Sequence, residues 1–153
     1  MIVISDTSPI TSLITIHRAG LLHQLFDTVL IPPAVEHELL AFHDQLPDFI
    51  RVETTLDMTT FQRLRPLLDE GEAEAIALAK MLRPEWLLID ETKGRAIAQA
   101  EGLRVIGLAG ALVIAKRHGL IESVAELLDL LERDAGFYLS KQVRADVMRS
   151  AGE

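Results

Sequence analysis

Short apolar runs separated by longer amphipathic stretches set the rhythm of this chain. "IVIS" near the N-terminus, "TVLIP" at 28–32, "WLLI" at 86–89 and "RVIG" at 104–107 are largely apolar rather than alternating. Strands with one wet face alternate and strands covered on both faces do not, so these runs predict a parallel sheet buried between helices. The stretch "HDQLPDFIRVETTLD" reads as an irregular connection, with "IRVE" inside it as a short edge strand.

Helical periodicity fills the gaps. "SPITSLITIHRAGLLHQLF" predicts one or two helices, broken near Gly20, and "PPAVEHELLAF" opens with Pro33 in a favourable first-turn position. "GEAEAIALAKML" and "TKGRAIAQAEG" are built from strong helix formers, and "LAGALVIAKRHG" ends on a glycine suited to cap it. "ESVAELLDLLERD" and "SKQVRADVMRSAG" close the chain as two more helices. Strand and helix alternating at this spacing predict an α/β fold with a central parallel sheet and helices on both faces. At 153 residues, with no repeat, linker or low-complexity tract, one domain over 1–153 is expected.

Composition narrows the chemistry. The chain is 49% hydrophobic and lacks cysteine, which removes disulfides, thiolate zinc sites and thiol nucleophiles. No apolar run approaches a membrane span, and no basic n-region precedes a long apolar h-region, so a soluble cytoplasmic protein is expected. A net charge of −8 excludes a uniformly cationic nucleic-acid groove. A local basic patch is compatible with the distribution, because Lys93, Arg95, Arg104, Lys116 and Arg117 face only Glu101 between Thr92 and Gly119.

Against that background the acids stand out. Asp6 and Asp90 each follow an apolar strand, where open α/β sheets bind ligands beyond the carboxyl strand ends. An aspartate at such a position can equally cap the next helix; two of them, each followed by polar residues, favour a shared site. On the helix starting near Gly71, Glu72 lies in line with Ile76 and Ala79, which places a carboxylate on an inward face. Glu74 points largely elsewhere, with a frayed first turn able to bring it to the same pocket; a solvated carboxylate favoured by the helix dipole is the alternative. Glu38 sits at the margin of a stripe formed by Val35, Leu39 and Phe42, as a ligand or as a rim residue.

Carboxylates gathered at one sheet end raise one another's pKa and call for a counter-ion. Oxygen ligands without Cys or paired His suit Mg²⁺ or Mn²⁺, which support water activation and in-line phosphoryl displacement. Hydrolysis of a phosphodiester is the reaction class this predicts. The five histidines show no metal-ligand spacing, and "GLAG" at 107–110 lacks the full dinucleotide fingerprint.

Taken in order, "VISDTSPITSL", "VLIPPAVEHEL", "LDEGEAEAIALA" and "LLIDETKGRAIAQAEGLRVIGLAGALVIAKRHGLI" resemble the successive motifs of the PIN-domain superfamily. More narrowly they resemble a short prokaryotic PIN-like subfamily related to VapC-type toxin ribonucleases. The likeness covers most of the chain. It implies a three-layer α/β/α sandwich with a mainly parallel sheet, and a Mg²⁺- or Mn²⁺-dependent nuclease acting on RNA. It places the first acid on Asp6, the second on Glu38, the third on Glu72 with Glu74 close behind, and the fourth on Asp90. The Glu-Ala-Glu-Ala pattern around the third is similar to that of flap endonucleases. Thr7 or Ser8 would support the metal shell, and Lys93 and Arg95 would meet substrate phosphate or stand as surface cations. A homodimer silenced by a small antitoxin protein is implied for toxin members. Two departures stand out: Leu88 occupies a position where many ribonuclease members carry Thr or Ser, and their third acid is commonly Asp.

A second class of function is a PIN-like module that binds nucleic acid or protein with little or no turnover. A phosphoacceptor receiver also places aspartates at strand ends, but it wants a Lys after the last strand, and "RVIGLAG" offers none.

Overall fold

The computed structural model describes residues 1–153, and its elements run β1 (Ile2–Ser5), α1 (Thr7–Thr15), α2 (Gly20–Phe26), β2 (Thr28–Ile31), α3 (Pro33–Phe42), β3 (Ile50–Val52), α4 (Met58–Leu64), α5 (Glu70–Leu82), β4 (Trp86–Leu88), α6 (Thr92–Ala100), β5 (Val105–Ile106), α7 (Leu108–Arg117), α8 (Val124–Ala135) and α9 (Lys141–Ala151). One parallel sheet carries the strands in the order β3-β2-β1-β4-β5. The chain winds outward from β1 through β2 to β3, then crosses back to lay β4 on the other side of β1. That reversal puts the topological switch point between β1 and β4, and the crevice beyond their carboxyl ends is where such sheets bind ligands.

The apolar runs behave as a doubly covered sheet requires. Val3, Val29, Ile31, Leu88 and Ile106 join a core with α1, α2, α3, α7 and α8. Ile4, Leu87 and Ile89 join a second core with α5 and α6 on the opposite face. Successive strand residues point to opposite faces, so runs without polar alternation feed both cores at once. The result is an α/β/α sandwich, with the "IRVE" strand at one edge as its short length suggests.

The break between the first two helices falls near Gly20 as expected, with the turn made at His17, at φ of 59°, and Gly20 beginning α2. Two local details differ from the apolar pattern. Residues 58–64, left without an element by the apolar pattern, form α4, capped by Asp57, which accepts from the Thr60 N–H at 3.2 Å. Phe42 is 78% exposed, because α3 ends there and the chain leaves the core, so its apolar stripe stops at Leu39. No helix is long and apolar enough to cross a membrane.

Candidate active site

Asp6 and Asp90 reach the switch-point crevice from adjacent strands. β1 and β4 pair through Ser5 and Leu88, and the Asp6 N–H continues the ladder by donating to the Leu88 carbonyl at 2.9 Å. Asp6 occupies the residue before α1, yet its side chain makes no capping hydrogen bond to that helix, and the residue is 8% exposed. A buried carboxylate at a capping position that does not cap is available for other work. Asp90 divides its two oxygens: Oδ1 accepts from the Leu108 N–H at 2.8 Å, and Oδ2 is enclosed with no partner. It caps α7 rather than the helix that follows it, standing in for Gly107, which has no side chain to do so.

α3 and α5 bring in the other acids. Thr7 Oγ1 donates to Glu38 Oε2 at 2.9 Å, tying the first turn of α1 to the middle of α3. Gly71 makes room: a β-carbon there would run into Glu38 Oε1 and stand 3.5 Å from Asp6 Oδ1. Glu72 lies buried in the first turn of α5, with Ile76 and Ala79 fully buried further along the same face. Its Oε2 has no partner and sits 2.6 Å from where a β-carbon on Gly94 would be. Both glycines lie inside helices, where alanine is worth up to about 1 kcal/mol in propensity. Gly71→Ala is therefore expected to hold or raise the melting temperature while displacing Glu38, lowering metal affinity and cleavage about 10- to 100-fold. Unchanged cleavage in that variant would show that Glu38 is not fixed by this contact.

Asp69 joins these acids although nothing in the apolar pattern singles it out. It is the N-cap of α5 and accepts from the Glu72 N–H at 2.8 Å, which sets its carboxylate beside Glu72. The signal was present in "DEGE", a cap residue followed three positions later by Glu. Glu74 goes elsewhere: buried, it accepts from the Ala34 N–H at 3.0 Å and supplies the first turn of α3 with the cap that Pro32 cannot. Glu74→Ala is expected to destabilise by about 1 kcal/mol, the usual worth of a cap, with cleavage changed less than about threefold. Loss of metal binding in that variant would instead assign Glu74 to the ion.

The electrostatics record how closely these groups stand. Burial raises the Asp6 carboxyl from 3.8 to about 7, with Asp69, Glu38 and Asp90 adding repulsion and the Thr7 amide offsetting part of it. Burial, then the neighbouring Asp69 and Asp6, push Glu72 up to about 8. Burial also lifts Glu38 and Asp90 above the ordinary carboxylate range, against the Thr7 hydroxyl in one case and the Leu108 amide and Arg95 in the other. Mutual repulsion in a dry setting is what a bound cation relieves. No group of three or more acids or histidines is gathered closely enough to hold an ion by protein atoms alone. Glu72 Oε2 and Asp90 Oδ2 are nevertheless each left without a protein partner, and carboxylate oxygens of this kind are the chemistry that Mg²⁺ or Mn²⁺ takes. Mg²⁺ characteristically uses one or two carboxylates and keeps several waters.

The cations sort differently from the sequence pattern. Arg104 stacks on Trp86 at 4.4 Å from its ring centroid, Lys116 pairs with Glu153 at 2.9 Å, and Arg117 donates to the Ser150 carbonyl. Lys93 and Arg95, on α6, have no acidic partner among the ion pairs of the chain. Lys93 is exposed, whereas the Arg95 guanidinium lies 2.7 Å from where a β-carbon on Gly107 would be, beside Asp90. Ser8 is exposed and shares with Asp90 and Arg95 the lining of one cleft.

No curated protein matches this sequence. The sequence profile of the PIN domain matches residues 2–153, which covers every acid described above. PIN domains are commonly nucleases, have a nuclease-type fold and generally use divalent metals. With that match running nearly end to end over an α/β/α sandwich whose acids gather at the switch point, the chain belongs to the PIN-domain family.

Proposed function

We propose that the chain is a single-domain, metal-dependent endoribonuclease that hydrolyses RNA phosphodiesters. The observation that carries this reading is Asp6: a buried carboxylate at a capping position that forgoes capping, with Glu38, Glu72 and Asp90 converging around it. Glu72 and Asp90 would offer Mg²⁺ or Mn²⁺ the oxygens left without protein partners, with Asp6 as the neighbouring carboxylate and waters completing the shell. A bound ion of this kind supplies an activated water and stabilises charge on the phosphoryl oxygens. The chain's own groups then do the positioning. Thr7 holds Glu38 in place, the α7 N-terminus fixes one Asp90 oxygen, and Arg95 offers a guanidinium to the substrate backbone.

Metal binding has a readout independent of activity. A ligand at 100 times its dissociation constant stabilises the folded state by about 2.7 kcal/mol, or about 5–10 °C for a chain of this size. At pH 8, saturating Mn²⁺ is expected to raise the melting temperature by that amount, with Glu72→Gln losing most of the gain. An unaltered melting temperature in wild type would remove the metal from this site.

The toxin half of a toxin–antitoxin pair, acting as a cytoplasmic homodimer held silent by a small antitoxin protein, is the biological setting we infer from the family. The second reading is a binding or regulatory module with little turnover. It is favoured by Leu88, which is fully buried and puts an apolar side chain where many ribonuclease relatives carry a hydroxyl. Metal binding without cleavage would be its signature.

A further inference from the structure

A cleft of about 690 Å³ opens beside Asp90 and continues along the edge of the sheet formed by β5. Asp90, Arg95 and Thr92 belong to it at the acid end, while Trp86, Phe137 and Tyr138 contribute aromatic surface. The acids of the crevice do not account for this second half. Trp86 and Tyr138 are the sole tryptophan and tyrosine of a chain with only 5% aromatic residues, and both line this cleft.

The segment that presents Tyr138 is held in place. Gly136 ends α8 in the left-handed region at φ of 65°, and the Phe137 N–H donates to the Leu131 carbonyl at 3.1 Å. Phe137 packs against the main core, which leaves the next side chain, Tyr138, directed outward and 70% exposed. A solvent-facing aromatic ring on a backbone held at its neighbour contributes nothing to the core, but it is a ready platform for a flat partner. The charges define which part of a ligand goes where. Arg95 is the one cation among the residues lining the cleft, so a phosphate is drawn to it, and the aromatic part takes an uncharged ring.

We propose that this cleft is a base-binding subsite: an unpaired nucleobase stacks on Tyr138, and the phosphate next to it meets Arg95 beside Asp90. The occupant is single-stranded nucleic acid, because a base stacked within a duplex has no free face to lay on Tyr138. This rests on the nuclease reading for the chemistry at the acids, and adds a residue that selects how the strand lies across them. Stacking of one base on an aromatic ring contributes about 5- to 150-fold in affinity.

Trp86 makes the subsite directly observable. The full-length Asp6→Asn protein, in Mg²⁺, is titrated with a single-stranded hexanucleotide of RNA, its DNA equivalent, the same strands with one central abasic position, and a duplex, following tryptophan fluorescence. Saturable perturbation by the single strands is expected, with about tenfold weaker binding for the abasic strand, the duplex and the Tyr138→Ala variant. Tyr138→Phe is expected to bind as the parent does, and neither change should move the melting temperature by more than about 2 °C. Equal affinity for intact and abasic strands, or no effect of Tyr138→Ala, would overturn the subsite. The nuclease reading fails separately: absence of cleavage by wild type alongside base-dependent binding would keep the subsite and remove the hydrolase.

Discussion

Asp6→Asn is expected to reduce metal-dependent cleavage at least about a thousandfold while making the metal-free protein more stable at pH 8. The loss follows from removing the carboxylate at the centre of the cluster, since a metal centre supplies several kcal/mol of transition-state stabilisation. The gain in stability has the same origin. At pH 8 the wild-type Asp6 is ionised although burial and neighbouring acids raise its pKa to about 7, so native structure is forced to hold a charge it disfavours. An uncharged amide of the same shape removes that cost, by about 1–3 kcal/mol after relaxation of the surroundings. Activity by gel-based cleavage and stability by thermal melting should move in opposite directions. A variant that loses both would indicate a structural role for Asp6, and one that keeps full activity would remove it from the mechanism.

The metal-free protein is also expected to weaken as pH rises from 4 to 8, the reverse of ordinary acid lability. Asp6 binds its proton more tightly in the native state than in the unfolded chain, with a pKa of about 7 against 3.8. Stability from that proton is complete below about pH 4 and lost as pH rises through about 7. Glu72 behaves alike between 4.5 and about 8. The carboxyls with lowered pKa, such as Glu153 at about 2 beside Lys116 and the α8 amides, act below pH 4.5 and leave this window untouched. Urea midpoints measured in EDTA should therefore fall across the window by the equivalent of about 2 kcal/mol. With saturating Mg²⁺ the dependence should flatten, because the cation takes over from the protons. A flat profile in EDTA would show that Asp6 and Glu72 are less buried in solution than the structure places them.

How much of this was legible in the residues depended on how local each signal was. The sheet strands were readable because uninterrupted apolar runs of three to four residues have few other uses at this spacing. Asp6 and Asp90 were readable because each stands where such a run stops. Glu72 followed from the helical periodicity it shares with Ile76 and Ala79. The roles of the remaining acids are set by tertiary partners that no window contains. Glu38 is selected by Thr7, 31 positions away, and Glu74 is drawn to the Ala34 amide, 40 positions away. Asp69 carries a local capping pattern, but nothing in that pattern says that the cap also faces Asp6 and Glu72. The apolar pattern also passes over α4, whose core contacts reduce largely to Thr60 and Leu64. The basic patch failed for a tertiary reason too, since Arg104, Lys116 and Arg117 are each engaged by partners distant in sequence.

In the proposed function, acids converging at the switch point cut nucleic acid with a divalent metal. This is tested most directly by incubating wild type and Asp90→Asn with single-stranded RNA and DNA in Mg²⁺, Mn²⁺ or EDTA. Cleavage of RNA by wild type is expected in either metal, with none in EDTA and at least about a hundredfold less by Asp90→Asn. Cleavage that persists in EDTA or in the variant would contradict that function, as would well-folded wild-type protein that cuts neither polymer with either metal.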